Sequence, residues 1–371
     1  MNPTFTIGRI AGIRISLNWS WLIIFALIVW SLYASVFPAQ DPGLSHTTYL
    51  IMSLIAAIVF FLSILLHEIG HSLVARRNGM EIEGITLWLF GGVSQFREKF
   101  KSPGSEFRIG IAGPAVSLVL GVIFITLAVL TKFSTPVDGT LAWLGYINLL
   151  LLVFNLLPAL PLDGGRVLRS ALWKAKGDFA WATRIAAGIG RGFGYLMIGG
   201  GVLLFVTYRS ASGIWLALIG WFLLGAAGAE ARYLQTSEAL EGLHVRDLMT
   251  RDLVTASADE TLGQFMDSLA GQAKHSTYPV VSGGDVLGLL PFRSIAHYPR
   301  SDWDGRLVRD SMLGRDQVAL LGSEDSAEDA LNRLMGGAIH RGLVIEDGRL
   351  VGFISISDIA RVLNQRSAFR R

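Results

Sequence analysis

His67-Glu68-Ile69-Gly70-His71 sets two imidazoles four residues apart with a carboxylate between them. On a helix these two rings share one face and can reach one metal ion, while Glu68, one residue round, is placed to act as a base rather than a ligand. The chain has no cysteine, so a transition metal must be held by His, Asp or Glu. A catalytic zinc takes three protein ligands and leaves one position for water, so a third ligand is needed from elsewhere. The best candidate is Asp163, in Asn155-Leu-Leu-Pro-Ala-Leu-Pro-Leu-Asp163-Gly-Gly. Pro158 and Pro161 break a helix there, and Gly164-Gly165 permit a tight turn that aims the carboxylate inward.

The elements that must carry these groups are membrane spans. The first motif lies in an apolar run, Ser53 to Val74, and polar groups at such depth are expensive and functional by default. With 51% hydrophobic residues and a mean hydropathy of +0.48, an ordinary soluble protein is excluded. Six apolar runs approach the length of a helical span: Ile15 to Val36, Thr48 to Arg76, Ile109 to Leu130, Leu141 to Leu157, Gly192 to Val206 and Gly213 to Ala229. Trp19 to Phe37 is too long for the core of a signal peptide and is read as part of the first span.

Basic residues alternate sides. Arg9 and Arg14, Arg76 to Arg108, and Arg166 to Arg191 share one side, with only Lys132 and Arg209 opposite. The positive-inside rule then predicts a cytoplasmic N-terminus, a site opening on the cytoplasmic leaflet, and a cytoplasmic C-terminal part. On this topology His46, His244, His275, His297 and His340 fall away from the site. The net charge of +3 is small, and the loop arginines fit topology rather than nucleic-acid binding.

Gly84 to Phe96 is apolar, too short to span, and split by Gly91-Gly92 into strand-like halves. Open strand edges cannot face lipid, so such a hairpin must line a cavity or pair with another strand; an extended peptide could add to its edge. Residues 231–242 turn polar and read as a helical linker between a membrane domain, 1–230, and a tail, 243–371. The tail repeats itself: Val245-Arg-Asp-Leu-Met249 recurs as Val308-Arg-Asp-Ser-Met312, and Gly284 to Leu290 recurs as Gly348 to Ile354, giving repeats over about 243–300 and 306–364. Each repeat reads as an α/β unit that needs the other to close a core. The glycine run from Gly188 to Gly201 has no preceding strand and reads as close helix packing or a flexible entry to the fifth span.

HEIGH within a span, the Gly-Gly hairpin, Ala112-Gly113-Pro114 opening the next span and NLLPALPLDGG together resemble the site-2 protease family of intramembrane zinc metalloproteases. The tail resembles a pair of CBS motifs, and the combination is similar to the branch of the family that carries them. The resemblance implies a polytopic α-helical membrane protein with a short membrane-level β hairpin plus a cytoplasmic α/β CBS pair. It implies one catalytic Zn²⁺ on His67, His71 and Asp163, Glu68 as the catalytic base, and Asn155 hydrogen-bonding substrate or intermediate. Ser117 stands where an asparagine is expected after Gly113-Pro114, and no insertion between spans is large enough for a PDZ domain. The implied activity is hydrolysis of a peptide bond in or near a transmembrane segment of a membrane-protein substrate. Zinc transport or sensing through the same His/Asp site is the alternative class; against it, no chain of intramembrane polar residues reaches the far face. In nucleotide-binding CBS motifs the second strand ends in Gly-x-x-Ser/Thr-x-x-Asp, matched by Gly352, Ser355 and Asp358. The first repeat has Gly288, Pro291 and Ser294 instead. One adenine-nucleotide site, for ATP or a relative, is therefore expected at most, with dimerisation of two chains or substrate docking as the other role of the tail.

Overall fold

The computed structural model describes residues 5–89, 91–96, 100–130, 134–269, 275–337 and 339–369. Phe90 of the expected hairpin and the loop residues Arg97, Lys99 and Lys132 lie outside them. The chain divides into two units, one up to Arg232 and one from Tyr233.

Among the described residues six helices are long and apolar enough to cross a membrane: α1 (Ser20–Gln40), α2 (His46–Arg77), α3 (Pro103–Leu130), α4 (Thr135–Asn155), α6 (Phe179–Tyr208) and α7 (Ala211–Leu240). Between α4 and α6 lies a shorter helix, α5 (Asp163–Lys176). The last span and the expected linker are one continuous helix, since α7 runs on to Leu240 without a break.

Before α1 the chain departs from expectation. Ile13 to Leu17 is a strand, so the first span begins at Ser20 rather than Ile15. Strands β1 (Phe5–Ile10) and β2 (Ile13–Leu17) form a hairpin whose two turn residues, Ala11 and Gly12, both have positive φ, the mark of a tight primed turn. β2 pairs in parallel with β3 (Ile82–Trp88), which pairs antiparallel with β4 (Gly91–Phe96), giving a four-stranded sheet in the order β1-β2-β3-β4. The expected hairpin is therefore half of a larger sheet, and β4 is one of its two edges. Alternation explains the packing: Ile13, Ile15 and Ile85 are buried together against Leu65 and Ile69 of α2.

Ser45 caps the start of α2, its hydroxyl accepting the Thr48 N–H at 3.1 Å. It is apolar nearly all round, as a helix surrounded by lipid and other helices must be. Three of its buried polar residues, Ser63, His67 and His71, follow a four-residue spacing along the face that meets α3 and α4. On α6, Gly194 and Gly201 pack against Gly220 and Gly213 of α7, where added side chains would collide with backbone. That confirms close helix packing for part of the glycine run.

In the second unit each repeat begins by crossing to the other. Val245 and Arg246 donate their N–H groups to Asp325 and Ser323, while Val308 and Arg309 donate theirs to Glu260 and Ala258. The side chains repeat the exchange, with Arg246 paired to Glu324 and Arg309 to Asp259. One sheet, of Ala256–Ser257, Thr277–Ser282, Asp285–Pro291 and Leu313–Gly314, thus takes its last strand from the second repeat. Reciprocal exchange explains why one repeat cannot close a core alone.

Candidate metal centre

The two histidines and Asp163 meet. His67 Nε2 lies 3.1 Å from Asp163 Oδ2, His71 Nε2 lies 3.2 Å from the same oxygen, and the two Nε2 atoms are 3.1 Å apart. All three residues are buried, and among the described residues they form the one such cluster of His and acidic groups. The outer nitrogens are also held. His71 Nδ1 is 2.6 Å from the carbonyl of Ile109, and His67 Nδ1 is 2.9 Å from Ser117 Oγ. A carbonyl only accepts, so His71 Nδ1 carries the proton and turns the Nε2 lone pair toward the centre.

With His67 in the matching tautomer, its Nδ1–H donated to Ser117 Oγ, lone pairs of two imidazoles and a carboxylate converge on one point. That arrangement is repulsive without a shared cation. The spacing suits zinc, because tetrahedral bonds of ~2.0 Å have edges of ~3.3 Å. Hydrogen-bonded outer nitrogens are the usual support of metal-binding histidines. The donor set and its surroundings thus fit a zinc ion.

Local sequence explains each placement. α4 stops at Asn155 because Pro158 and Pro161 cannot continue it. Asp163 is not on a turn, as its following glycines suggested, but is the first residue of α5. Gly164 and Gly165 are there for contact: a methyl group on Gly164 would strike the carbonyls of Leu156 and Leu157, and one on Gly165 the backbone of Ala159 and Leu160. The helix N-terminus favours an anion.

Two residues of α3 complete the pocket. Gly113 has no space for a side chain, since a methyl group there would overlap His71 Nε2 and lie 2.5 Å from His67 Nε2. Ser117, one turn further, supplies the hydroxyl on His67. The Ala112-Gly113-Pro114 motif gave no hint that its glycine abuts the imidazoles; Ser117, out of step with the expected asparagine, nonetheless holds a polar contact.

Glu68 contributes none of the three converging atoms and reaches β4. Its Oε2 accepts from Ser94 Oγ at 2.7 Å, and Ser94 Oγ lies 3.3 Å from Ser72 Oγ. Gly92 leaves room for the glutamate, because a side chain there would overlap Glu68 Cγ. Asn155 ends α4 half-buried, and among the described residues nothing hydrogen-bonds its side chain. Two turns earlier on the same helix, Asn148 is fully buried and donates to Ser63 Oγ at 3.4 Å, one turn before His67. The sequence offered no sign of it.

In the tail, Ser355 ends the strand Arg349–Ser355 and Asp358 sits in the first turn of the helix Ile356–Phe369. They meet each other: Asp358 Oδ2 accepts from Ser355 N at 3.0 Å and from Ser355 Oγ at 2.6 Å. Arg361 adds a contact to Asp358 Oδ1 at 3.3 Å.

Comparison with known proteins agrees with the geometry. Residues 55–140 and 132–198 match the model of peptidase family M50, and residues 245–301 and 309–365 match the CBS domain. Rip3 of Mycobacterium tuberculosis, named as a candidate zinc metalloprotease, is 37% identical over 98% of this chain and 94% of its own length. The zinc metalloprotease MJ0392 of Methanocaldococcus jannaschii is 33% identical over 98% of this chain and 97% of its own. Among solved structures, the site-2 protease from the same archaeon is 32% identical, covering 62% of this chain and 95% of that one, with a TM-score of 0.44. The chain belongs to peptidase family M50: it is a multi-pass membrane zinc metalloprotease of the site-2 protease type with a C-terminal CBS pair.

Proposed function

We propose that the protein cleaves a transmembrane segment of a membrane-protein substrate at a zinc ion held by His67, His71 and Asp163. The observation that carries this reading is the convergence of three buried ligand atoms within 3.2 Å of one another. Zinc held there supplies polarisation of a carbonyl and lowers the pKa of water from ~15.7 toward ~7. Glu68 is the base: its carboxylate takes a proton from the attacking water and returns it to the leaving amine. Ser94 orients that carboxylate through the 2.7 Å hydrogen bond. Asn155, half-buried at the end of α4, hydrogen-bonds the substrate or intermediate once the cleft is filled; a well-aimed donor at such a place contributes roughly 3–4 kcal/mol.

The substrate strand adds to the edge of β4. A helical peptide bond has its carbonyl engaged and must be unwound, and pairing with a strand edge offsets the lost hydrogen bonds. β4 suits this role because it is an edge strand and lies against Glu68. The N-terminus, the site and the tail face the cytoplasm, in line with the arginine-rich loops. The tail regulates or docks: it binds an adenine nucleotide at Ser355 and Asp358, joins two chains, or both.

The test is cleavage of a membrane-spanning reporter by the full chain reconstituted in vesicles. Chelation should stop cleavage and added zinc should restore it, with the cut mapping to the membrane segment. Cleavage that survives complete zinc removal would sink the proposal.

A further inference from the structure

α5 carries Asp163 at its first residue and Arg169 six residues on, about 9 Å along the axis. Arg169 is 2% exposed and reaches two carboxylates on two other helices. Its Nε and Nη2 lie 2.6 and 2.5 Å from Glu106 Oε1 on α3, and its Nη1 lies 2.6 Å from Glu230 Oε1 on α7. The guanidinium also stacks over Phe179, at the start of α6, at 4.8 Å. A single side chain of the ligand-bearing helix thus ties together three neighbouring helices.

The two carboxylates are not equivalent. Glu106 is fully buried, with its Oε2 unpartnered among the described residues. Separating it from Arg169 would strand a charge away from water, so this half of the cluster is fixed. The Glu230 side chain is 34% exposed. Water can replace its contact at modest cost, so this half can form and break while the fold persists.

Besides its side-chain packing against α3 and α6, α5 is fixed by two features. The first turn is wedged under Leu156 to Leu160 by Gly164 and Gly165, and the second feature is Arg169. Rotation of α5 about the wedge would swing the Asp163 carboxylate relative to the two imidazoles, which are fixed on α2. We propose that Arg169 is a positioning residue that sets Asp163 on the metal, and that Glu230 is the adjustable contact through which the last membrane helix tunes it. The inference rests on the reading of His67, His71 and Asp163 as the zinc ligands.

The test substitutes Co²⁺ for zinc in the full chain in lipid nanodiscs and reads the visible absorption band, the cobalt affinity and the thermal midpoint. Glu230→Gln should alter the band and weaken cobalt a few fold at an unchanged midpoint, and Glu230→Asp should restore both. Arg169→Gln should weaken cobalt about 10- to 100-fold. If wild type binds cobalt and Glu230→Gln leaves band and affinity unchanged, the positioning role is overturned whatever Arg169→Gln does to stability. If wild type and Asp163→Ala bind cobalt alike, the ligand assignment itself has failed, and the inference falls with it.

Discussion

His67, His71 and Asp163 in the first unit and Ser355 and Asp358 in the second are both polar constellations closed by packing, but they differ in what satisfies them. In the first, two imidazole nitrogens and a carboxylate oxygen face one another at 3.1–3.2 Å, and the outer ring nitrogens are engaged by Ile109 and Ser117. The set is satisfied by a cation. In the second, hydroxyl, backbone N–H and carboxylate close on each other, as in a helix capping box. That set is satisfied without a ligand. A motif match therefore means different things in the two places: in one it marks a demand, in the other a local cap that a nucleotide would have to compete with.

The sharpest way to break the comparison is to remove the demand. Asp163→Ala should lose zinc and turnover together, and full zinc content by elemental analysis would show that another group is the third ligand. Gly113→Ala should act nearly as strongly without touching a ligand, because its methyl group overlaps the imidazoles; metal affinity measured by competition with a chelator should fall about 10- to 100-fold. Ser117→Ala removes only the hydroxyl on His67 Nδ1 and should cost about 10-fold in the same assay. The smallest effect belongs to the tail. Asp358→Ala should destabilise it by about 1 kcal/mol with no nucleotide present, read as faster amide exchange across Arg341–Ser355. Unchanged exchange would mean that the Ser355–Asp358 contacts carry no structural weight and are free for a ligand.

The chemistry was more legible than its scaffold. Four-residue spacing within an apolar run is enough to place His67 and His71 on one helix face, and a proline-broken span followed by Asp163 was enough to suggest the third ligand. The internal repeat likewise foretold two interdependent halves. The N-terminal strands were not legible, because Ile13 to Leu17 merges into the apolar run of α1 and hydropathy does not distinguish a strand from the helix that follows. Arg14, exposed between buried Ile13 and Ile15, and polar Ser16 after them carry the period-two signal in the sequence. Helix α5 was hidden for a different reason. Gly164 and Gly165 disfavour a helix intrinsically, and only the crowding of the Leu156–Leu160 backbone above them shows why glycine is needed there. The roles of Gly113 and of the Arg169 cluster depend on contacts between helices distant in sequence, which spacing along one helix does not reveal.

The most direct test of the account is a paired measurement on Glu68→Gln in the reconstituted full chain: zinc per chain and cleavage of a membrane-spanning reporter in the same preparation. Zinc should remain at one per chain, since Glu68 is not among the three converging atoms, while cleavage falls by about 100-fold or more, the loss expected for a general base. Turnover near wild type would contradict the assignment of Glu68, and loss of zinc would show that the glutamate belongs to the metal centre itself.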